Sequence, residues 1–292
     1  MKNIALSLSL FGLFALATSC DKIEKPYPKA FSQGAVCSTE EFEIVTSAPA
    51  RVLIEDYTGH QCGNCPDAAV LADDIHEDYP ENTVTMAVHA GFFARTRPSG
   101  KFSTDFTNPT SVKWDTDFGV SLVGNPNGMI NRRSVEGNKV VGLGQWRSTV
   151  EGLIGKSAMV EINLAGTVDN TDSTICGQIF IQPLNNLDES LDLGFNLVLL
   201  EDSIVDWQKD YRRSSEEGED DEFYVHNHVL RQSFVGPDGV NLDLVGVRTD
   251  SYLSFGYKIP QNPIWRTNKL TLVGFVFDRD TKEILQVRKL KL

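Results

Sequence analysis

The first half of the chain alternates between the hydrophobic periods of strands and helices. An apolar run over residues 52–58 is typical of a buried strand, and a second run follows at Thr83–His89. Between them, Ala68, Leu71, Ala72, Ile75 and Tyr79 form one stripe at helical spacing, which Pro80 ends. The later predicted elements are a short helix at Thr110–Phe118, strands at Met129–Asn131 and Val140–Val141, and a closing helix over residues 143–154. Strands alternating with helices predict an α/β layer fold for residues 49–156.

The pattern changes after Ser157 to alternating apolar and polar positions without a helical period. Runs such as Val160–Leu164, Leu193–Leu199, Phe223–Leu230 and Leu242–Val247 are separated by Pro, Gly, Asn and Asp. About eight short strands of this kind predict an all-β, immunoglobulin-like sandwich over residues 157–292. Its acidic stretch Glu216–Glu222 is expected to be a solvated, mobile loop.

The N-terminus has the pattern of an export signal. Lys2 precedes an apolar stretch from Ile4 to Ala17, too short to stay in a membrane as a helix, and small residues then lead to Cys20. Leu-Ala-Thr-Ser-Cys resembles a bacterial lipobox, which implies a signal peptide over residues 1–19 and a lipid on Cys20. An ordinary signal peptide beside a chance cysteine is the alternative. Residues 20–48 are expected to form a tether and entry arm, with the mature chain facing the periplasm or the cell surface.

The acidic composition argues against two classes of binding partner. Without Lys2, the net charge of −13 becomes −14 for the mature chain. An acidic chain without basic clusters is a poor ligand for nucleic acid and is repelled by anionic headgroups. Attachment to the membrane is therefore expected to depend on the lipid at Cys20.

The five cysteines divide into three groups. Cys20 is assigned to lipid, and Cys62 with Cys65 forms a CxxC pair. Cys37 and Cys176 remain. Export to an oxidising compartment allows a disulfide between these two, and two buried free thiols are equally compatible with the sequence.

The CxxC pair stands at a predicted strand-to-helix junction, where chemistry is expected. A sulfur at a helix N-terminus lies near unpaired N–H groups, which favour thiolate over thiol. Cys62 is therefore the expected exposed nucleophile and Cys65 the resolving thiol. A fixed structural disulfide on a binding scaffold is the main alternative. Metal binding through His60 and the two cysteines is a weaker one, because no convincing fourth ligand follows.

These features resemble the thioredoxin family over residues 50–156. In that family a buried acid stands six residues before the first cysteine and a cis-proline precedes the third strand, and Asp56 and Pro126 occupy these positions. The resemblance implies that Asp56 helps move a proton at the resolving cysteine and that Pro126 shapes the substrate groove. The chain departs from the family at Gln61, where a Trp is usual, and by an insertion at Gly91–Asn108.

A closer resemblance covers nearly the whole mature chain. Glu-Asp-Tyr-Thr-Gly-His-Gln-Cys-Gly-Asn-Cys-Pro, together with Val225–Arg231, resembles the Omp-twenty-eight family of outer-membrane lipoproteins. That family implies an outer-membrane location and an ill-defined activity, with surface receptor or adhesion roles suggested for members.

Two functions are therefore weighed. The first is thiol–disulfide exchange with cysteines of other envelope proteins, requiring no bound cofactor and no metal. The second is a non-enzymatic surface module in which the CxxC is a staple. His89 ends a strand at the same sheet edge as the CxxC and is a candidate contributor to its site, whereas His226 and His228 are expected on one side of a strand.

Overall fold

A computed structural model of the chain describes residues 41–171, 173–184, 186–188, 190–242, 251–259 and 265–292. The expected signal peptide, Cys20 and Cys37 lie outside these residues, as does most of a strand predicted over residues 242–247. Cys176 is disulfide-bonded. Within the described ranges, no helix combines the length and apolar character needed to cross a membrane.

The first half follows the predicted order of elements. Strand β1 (Val52–Thr58) leads through helix α1 (Cys65–Asp78) to strand β2 (Thr83–His89), which runs parallel to β1. Pro66 lies in the first turn of α1, where its missing N–H breaks no helical hydrogen bond. The buried side chains of Ala68, Ala72 and Ile75 form the apolar stripe that places α1 against the sheet.

The chain then returns to the other side of β1. Helix α2 (Pro109–Phe118) is capped by Asn108 and followed by the single turn α3 (Val120–Val123). Strand β3 (Asn127–Ile130) pairs antiparallel with β1, and Val141 forms an isolated bridge to Gly128. Helix α4 (Leu143–Glu151) closes this half.

The second half consists mainly of strands. They are β4 (Val160–Asp169), β5 (Thr174–Pro183), β6 (Leu193–Glu201), β7 (Ile204–Lys209), β8 (Asp220–His226), β9 (Val229–Ser233), β10 (Val240–Asn241), β11 (Ser251–Lys258), β12 (Leu270–Asp278) and β13 (Ile284–Lys291).

Two expectations for this half were wrong. The single apolar run predicted at residues 223–230 is broken into β8 and β9, because His228 has a φ of 55° and cannot continue a strand. The acidic stretch is not wholly a loop. Asp220 opens β8 opposite Lys209, and the two side chains form an ion pair with 3.1 Å between Nζ and Oδ1.

One large sheet joins the two halves. Its strand order is β13-β12-β6-β9-β2-β1-β3, with β10 also on β6. The junction is a short parallel contact in which Ala87 opposes Val229 and the Ala87 N–H donates to the carbonyl of His228 at 2.9 Å. The second half therefore does not form the separate sandwich that was expected, because its large sheet continues into β1–β3. This continuation covers the open edge of β2.

Three apolar clusters pack the two faces of this sheet. One face carries a continuous cluster that includes Leu53 and Tyr57 from β1 and Phe275 from β12, covered by Trp114 of α2. On the opposite face, α1 and α4 pack over β1 and β3. The three-stranded sheet β11-β5-β4 packs over the β6 and β12 end of that same face. The described chain is mostly β-sheet, with its α-helices in the first half.

Candidate functional site: a covered disulfide

The cysteine motif lies in the loop between β1 and α1. Cys62 and Cys65 are joined in a disulfide with an S–S distance of 2.10 Å and 5.4 Å between their Cα atoms. Helix α1 begins at Cys65, so Cys62 precedes the helix by three residues. Each cysteine is only 2 % exposed, which differs from the expected exposed nucleophile at Cys62.

One wall of this loop comes from the insertion that follows β2. The Nε2 of His60 lies 3.0 Å from the Arg95 carbonyl, which also accepts a hydrogen bond from the Gln61 amide. A Cβ at Gly59 would lie 2.4 Å from the carbonyl carbon of Phe93, so only glycine fits this close approach. The insertion therefore holds residues 59–61 in place.

The other wall is the β7–β8 hairpin, which the sequence did not predict. The Lys209 N–H donates to the His60 carbonyl at 2.8 Å, and the Tyr211 N–H donates to the Gly63 carbonyl at 2.9 Å. Between them, the Gln208 amide donates to the Cys62 carbonyl at 2.9 Å. The Tyr211 ring fills the space beside Gly63, where an added Cβ would lie 2.5 Å from ring atoms. These contacts explain the burial of both cysteines.

Beneath the hairpin is a cavity of about 270 Å³ that Cys65 lines. It brings together side chains from β1, α1, β2 and the hairpin. Those relevant to the chemistry are Asp56, Cys65, Asp73, His89, Gln208, Tyr224, His226 and His228. Asp56 and His89 were both expected from the sequence to contribute to the site of the cysteine pair, and both line the same cavity as Cys65.

Asp56 is held in an environment that opposes its ionisation. It is 3 % exposed, and its Oδ1 has no hydrogen-bond partner among the described residues. Burial, reinforced by the negative charge of Asp73, raises the pKa of Asp56 from an ordinary 3.8 to about 8. At neutral pH this carboxyl group therefore carries a proton.

The buried histidines of the cavity are kept neutral. Burial lowers the pKa of His89 well below its ordinary value, and the neighbouring His226 adds to the effect. Burial also lowers the pKa of His226 to about 4, although Asp206 opposes this. Both rings pack on Phe106, each with 4.8 Å between ring centroids.

His228 stands at the end of the hairpin and behaves differently. Burial alone would lower its pKa, but hydrogen bonds to Asp202 and Asp73 outweigh that effect and raise it to about 9. Its Nδ1 lies 3.1 Å from Asp202 Oδ1, and its Nε2 lies 3.5 Å from Asp73 Oδ1. A charged His228 thus connects the base of the hairpin to α1.

Pro126 has the backbone geometry expected of it. The Asn125–Pro126 peptide is cis, and β3 begins directly afterwards with Asn127 opposite Tyr57. Pro126 is not among the residues that line the cavity with Asp56 and Cys65. Its expected role in a substrate groove stays a prediction.

The metal alternative receives no support from the side-chain placement. In the part of the chain that the structure describes, no group of three or more His, Cys, Asp or Glu side chains is arranged to hold a metal ion.

Fold and site define a mostly β-sheet protein with a covered disulfide at a strand-to-helix junction. Residues 113–292 match the family model described as outer membrane protein Omp28, and because this is more than half of the chain, the protein belongs to that family. Its location is accordingly the cell outer membrane. The matched residues begin within α2, so they do not include the cysteine motif.

Solved structures give similarities of fold. HBP35 of Porphyromonas gingivalis matches with a TM-score of 0.63 at 15 % identity, covering 84 % of this chain and 76 % of that one. A structural-genomics protein of Agrobacterium tumefaciens matches with a TM-score of 0.51 at 10 % identity, covering 84 % and 95 %. A domain of the outer membrane lipoprotein Omp28 from P. gingivalis shares 19 % identity over 46 % of this chain and 88 % of its own, but its TM-score of 0.29 bears on neither fold nor function. No protein of curated function matches the sequence.

Proposed function

We propose that this outer-membrane protein exchanges thiols and disulfides with cysteines of other envelope proteins through Cys62 and Cys65. The observation that carries the proposal is Asp56. A buried carboxyl group that keeps its proton to about pH 8 lines the same cavity as the resolving cysteine. Such a group destabilises the folded protein at neutral pH, and perturbed acids of this kind concentrate at functional sites.

The local topology supports the same proposal. Parallel β1 and β2 joined by α1, antiparallel β3, the bridge at Val141 and the closing α4 follow the order of a thioredoxin-like unit. In this reading the second half is a sandwich-like partner that shares the sheet. The disulfide stands at the strand-to-helix junction where that family carries its redox pair.

The exchange proceeds from the oxidised form. A thiolate of the partner attacks the sulfur of Cys62, and the Cys62–Cys65 bond breaks so that its electron pair leaves with Cys65. Asp56 in its protonated form supplies the proton that converts Cys65 to a thiol. A second thiolate of the partner then attacks the partner's first cysteine sulfur in the mixed disulfide, and Cys62 leaves with the electron pair as a thiolate that takes a proton from water. Two partner thiols become a disulfide, and Cys62 and Cys65 become the dithiol. The reduced protein reverses each step.

One observation favours the alternative of a non-enzymatic binding module. Both cysteines are 2 % exposed under the hairpin, as a permanent structural disulfide would be. In that case the outer-membrane protein would act as a surface receptor or adhesion module, with the disulfide fixing the loop after β1.

Trapping separates the two functions. In cells that express the Cys65→Ser variant, Cys62 can attack a partner but the mixed disulfide cannot resolve, so we expect disulfide-linked species on non-reducing gels. The Cys62→Ser variant is the matched control and should trap none. If the disulfide is purely structural, neither variant should trap a partner. Both variants should then lose a similar, modest amount of stability, because the loop that the disulfide closes is short. That outcome would remove the exchange function and leave the binding module.

Attachment to the membrane is proposed to rest on a lipid at Cys20. The acidic mature chain gives no electrostatic attraction to anionic headgroups. A tether over residues 20–48 would then let the folded part reach envelope or surface proteins as partners.

A further inference from the structure

The β7–β8 hairpin is attached to the rest of the protein in an unusual way. Its two strands pair with each other and with no other strand of the described chain. At each base stands a non-glycine residue with positive φ, Ser203 at 59° and His228 at 55°. These bends hold the hairpin out of line with β6 and β9 and fold it back over the cysteine loop. The Ser203 N–H donates to Asn227 Oδ1 at 2.9 Å and the His228 N–H donates to Asp202 Oδ1 at 2.8 Å, so the two bases are tied to each other.

Its packing is much weaker than that of the strands around it. None of the hairpin's residues, all of which the structure describes, belongs to the three apolar clusters that pack the large sheet. Its outward face instead leaves Val205, Phe223 and Val225 exposed, Phe223 at 75 %. A segment with few buried apolar contacts opens at lower free energy than the core strands.

The hairpin is held down by ring contacts of His226 with Phe106 and of Trp207 with Phe102, and by a set of polar contacts. Three of them end on carbonyls of the cysteine loop: Lys209 on His60, Gln208 on Cys62 and Tyr211 on Gly63. On the insertion side, the Thr104 hydroxyl donates to Asp206 and the Lys101 ammonium stands 4.6 Å from the Trp207 ring. The hydrogen bonds among these contacts can be replaced by hydrogen bonds to water when the hairpin lifts.

We propose that the β7–β8 hairpin is a hinged cover over the Cys62–Cys65 disulfide, and that its donors occupy the docking site of an extended, cysteine-bearing segment of a partner protein. When the cover lifts about Ser203 and His228, the carbonyls of His60, Cys62 and Gly63 lose the donors that the hairpin supplies, although Cys62 keeps the Cys65 N–H at 3.3 Å, and they become acceptors for the backbone of that segment. A partner presenting an extended chain supplies such donors, as in other cases where a peptide adds along exposed backbone. The purpose of the cover rests on the proposed exchange function, but the cover itself can be tested without any partner.

The test measures how fast dithiothreitol reduces Cys62–Cys65 in the oxidised full chain, followed by alkylation and mass spectrometry of the peptide that carries both cysteines. The double variant Gln208→Ala/Tyr211→Ala removes a hydrogen bond and the ring that covers Gly63. At roughly fivefold in opening equilibrium for each contact, we expect reduction to be on the order of tenfold faster or more. Phe223→Ala is the matched control, since its side chain lies on the outward face of the same hairpin, and its rate should stay within about twofold of the unmodified protein. Equal rates for the double variant and the unmodified chain would overturn the cover.

Amide hydrogen exchange keeps the test decisive if the double variant does not fold. In the unmodified oxidised protein, the amides of Lys209 and Tyr211 should exchange faster than the amide of Met86 in the buried strand β2, because the hairpin opens without global unfolding. Exchange of all three at one common rate would show that the hairpin moves only when the whole protein unfolds, and the cover would be wrong. The two proposals can fail independently. If the hairpin is not a cover, the Cys65→Ser variant can still trap partners, and if no partner is trapped, the reduction rates still test the cover.

Discussion

Replacing Asp56 with Asn should flatten the pH dependence of stability. The folded protein keeps a proton on Asp56 up to about pH 8, whereas the unfolded chain loses that proton near its ordinary pKa of 3.8. Between these two values the folded state binds one more proton than the unfolded state. The free energy of unfolding therefore falls as pH rises, by about 1.4 kcal/mol per pH unit. Between about pH 5 and about pH 7 the cost is roughly 3 kcal/mol, a large part of the 5–15 kcal/mol that holds a typical protein folded.

Asparagine cannot ionise, so the Asp56→Asn variant loses this term. Urea unfolding of the oxidised full chain at about pH 5 and about pH 7 gives, for each protein, the change in the free energy of unfolding between the two pH values. The change for the variant is then compared with the change for the unmodified protein. We expect the variant to lose roughly 3 kcal/mol less than the unmodified protein over this interval. Asp74→Asn, at an exposed position on α1, is the control and should follow the unmodified protein. Parallel pH profiles for the Asp56→Asn variant and the unmodified protein would refute the assignment of a buried, protonated carboxyl.

Two further predictions concern stability and location. Glu55→Gln should cost about 3 kcal/mol in urea unfolding, because it leaves Arg132 charged and buried, whereas Glu283→Gln breaks only the exposed pair with Arg133 and should cost under about 1 kcal/mol; equal costs would contradict this difference. Cys20→Ser should move the protein from the membrane fraction to the soluble fraction, since it removes the expected lipid; a variant that still sediments with membranes would argue against lipidation.

The elements around the cysteine motif could be predicted because their signals are local. The helical spacing of Ala68, Ala72 and Ile75 and the apolar run at Thr83–His89 each specify one element without reference to the rest of the chain. The cis peptide at Pro126 could be expected only from resemblance to a family, since the residues around it carry no signal for one.

The cover over the disulfide could not be predicted in the same way. Strand β7 reads Ile-Val-Asp-Trp-Gln-Lys, which lacks a clean alternation, because its faces contact a polar loop and solvent and not an apolar core. Its partner strand starts inside an acidic stretch that resembles a loop until Lys209 and Arg213 are placed beside it. The contact of Gln208 with Cys62 joins distant parts of the chain, and no local pattern reports it.

The large sheet contains strands from both halves of the chain, so it cannot be completed during export until the second half has followed the first. Tyr57 leaves the translocation machinery early, but the apolar cluster that it shares with Trp114 is complete only when Val273 and Phe275, more than 200 residues later, have followed. Until then β2 also lacks its neighbour β9, so an apolar face and an open strand edge stand exposed together. Such long-range pairing is slow and invites association with other chains. The newly exported polypeptide should therefore depend on envelope chaperones for as long as its last strands remain on the far side of the inner membrane.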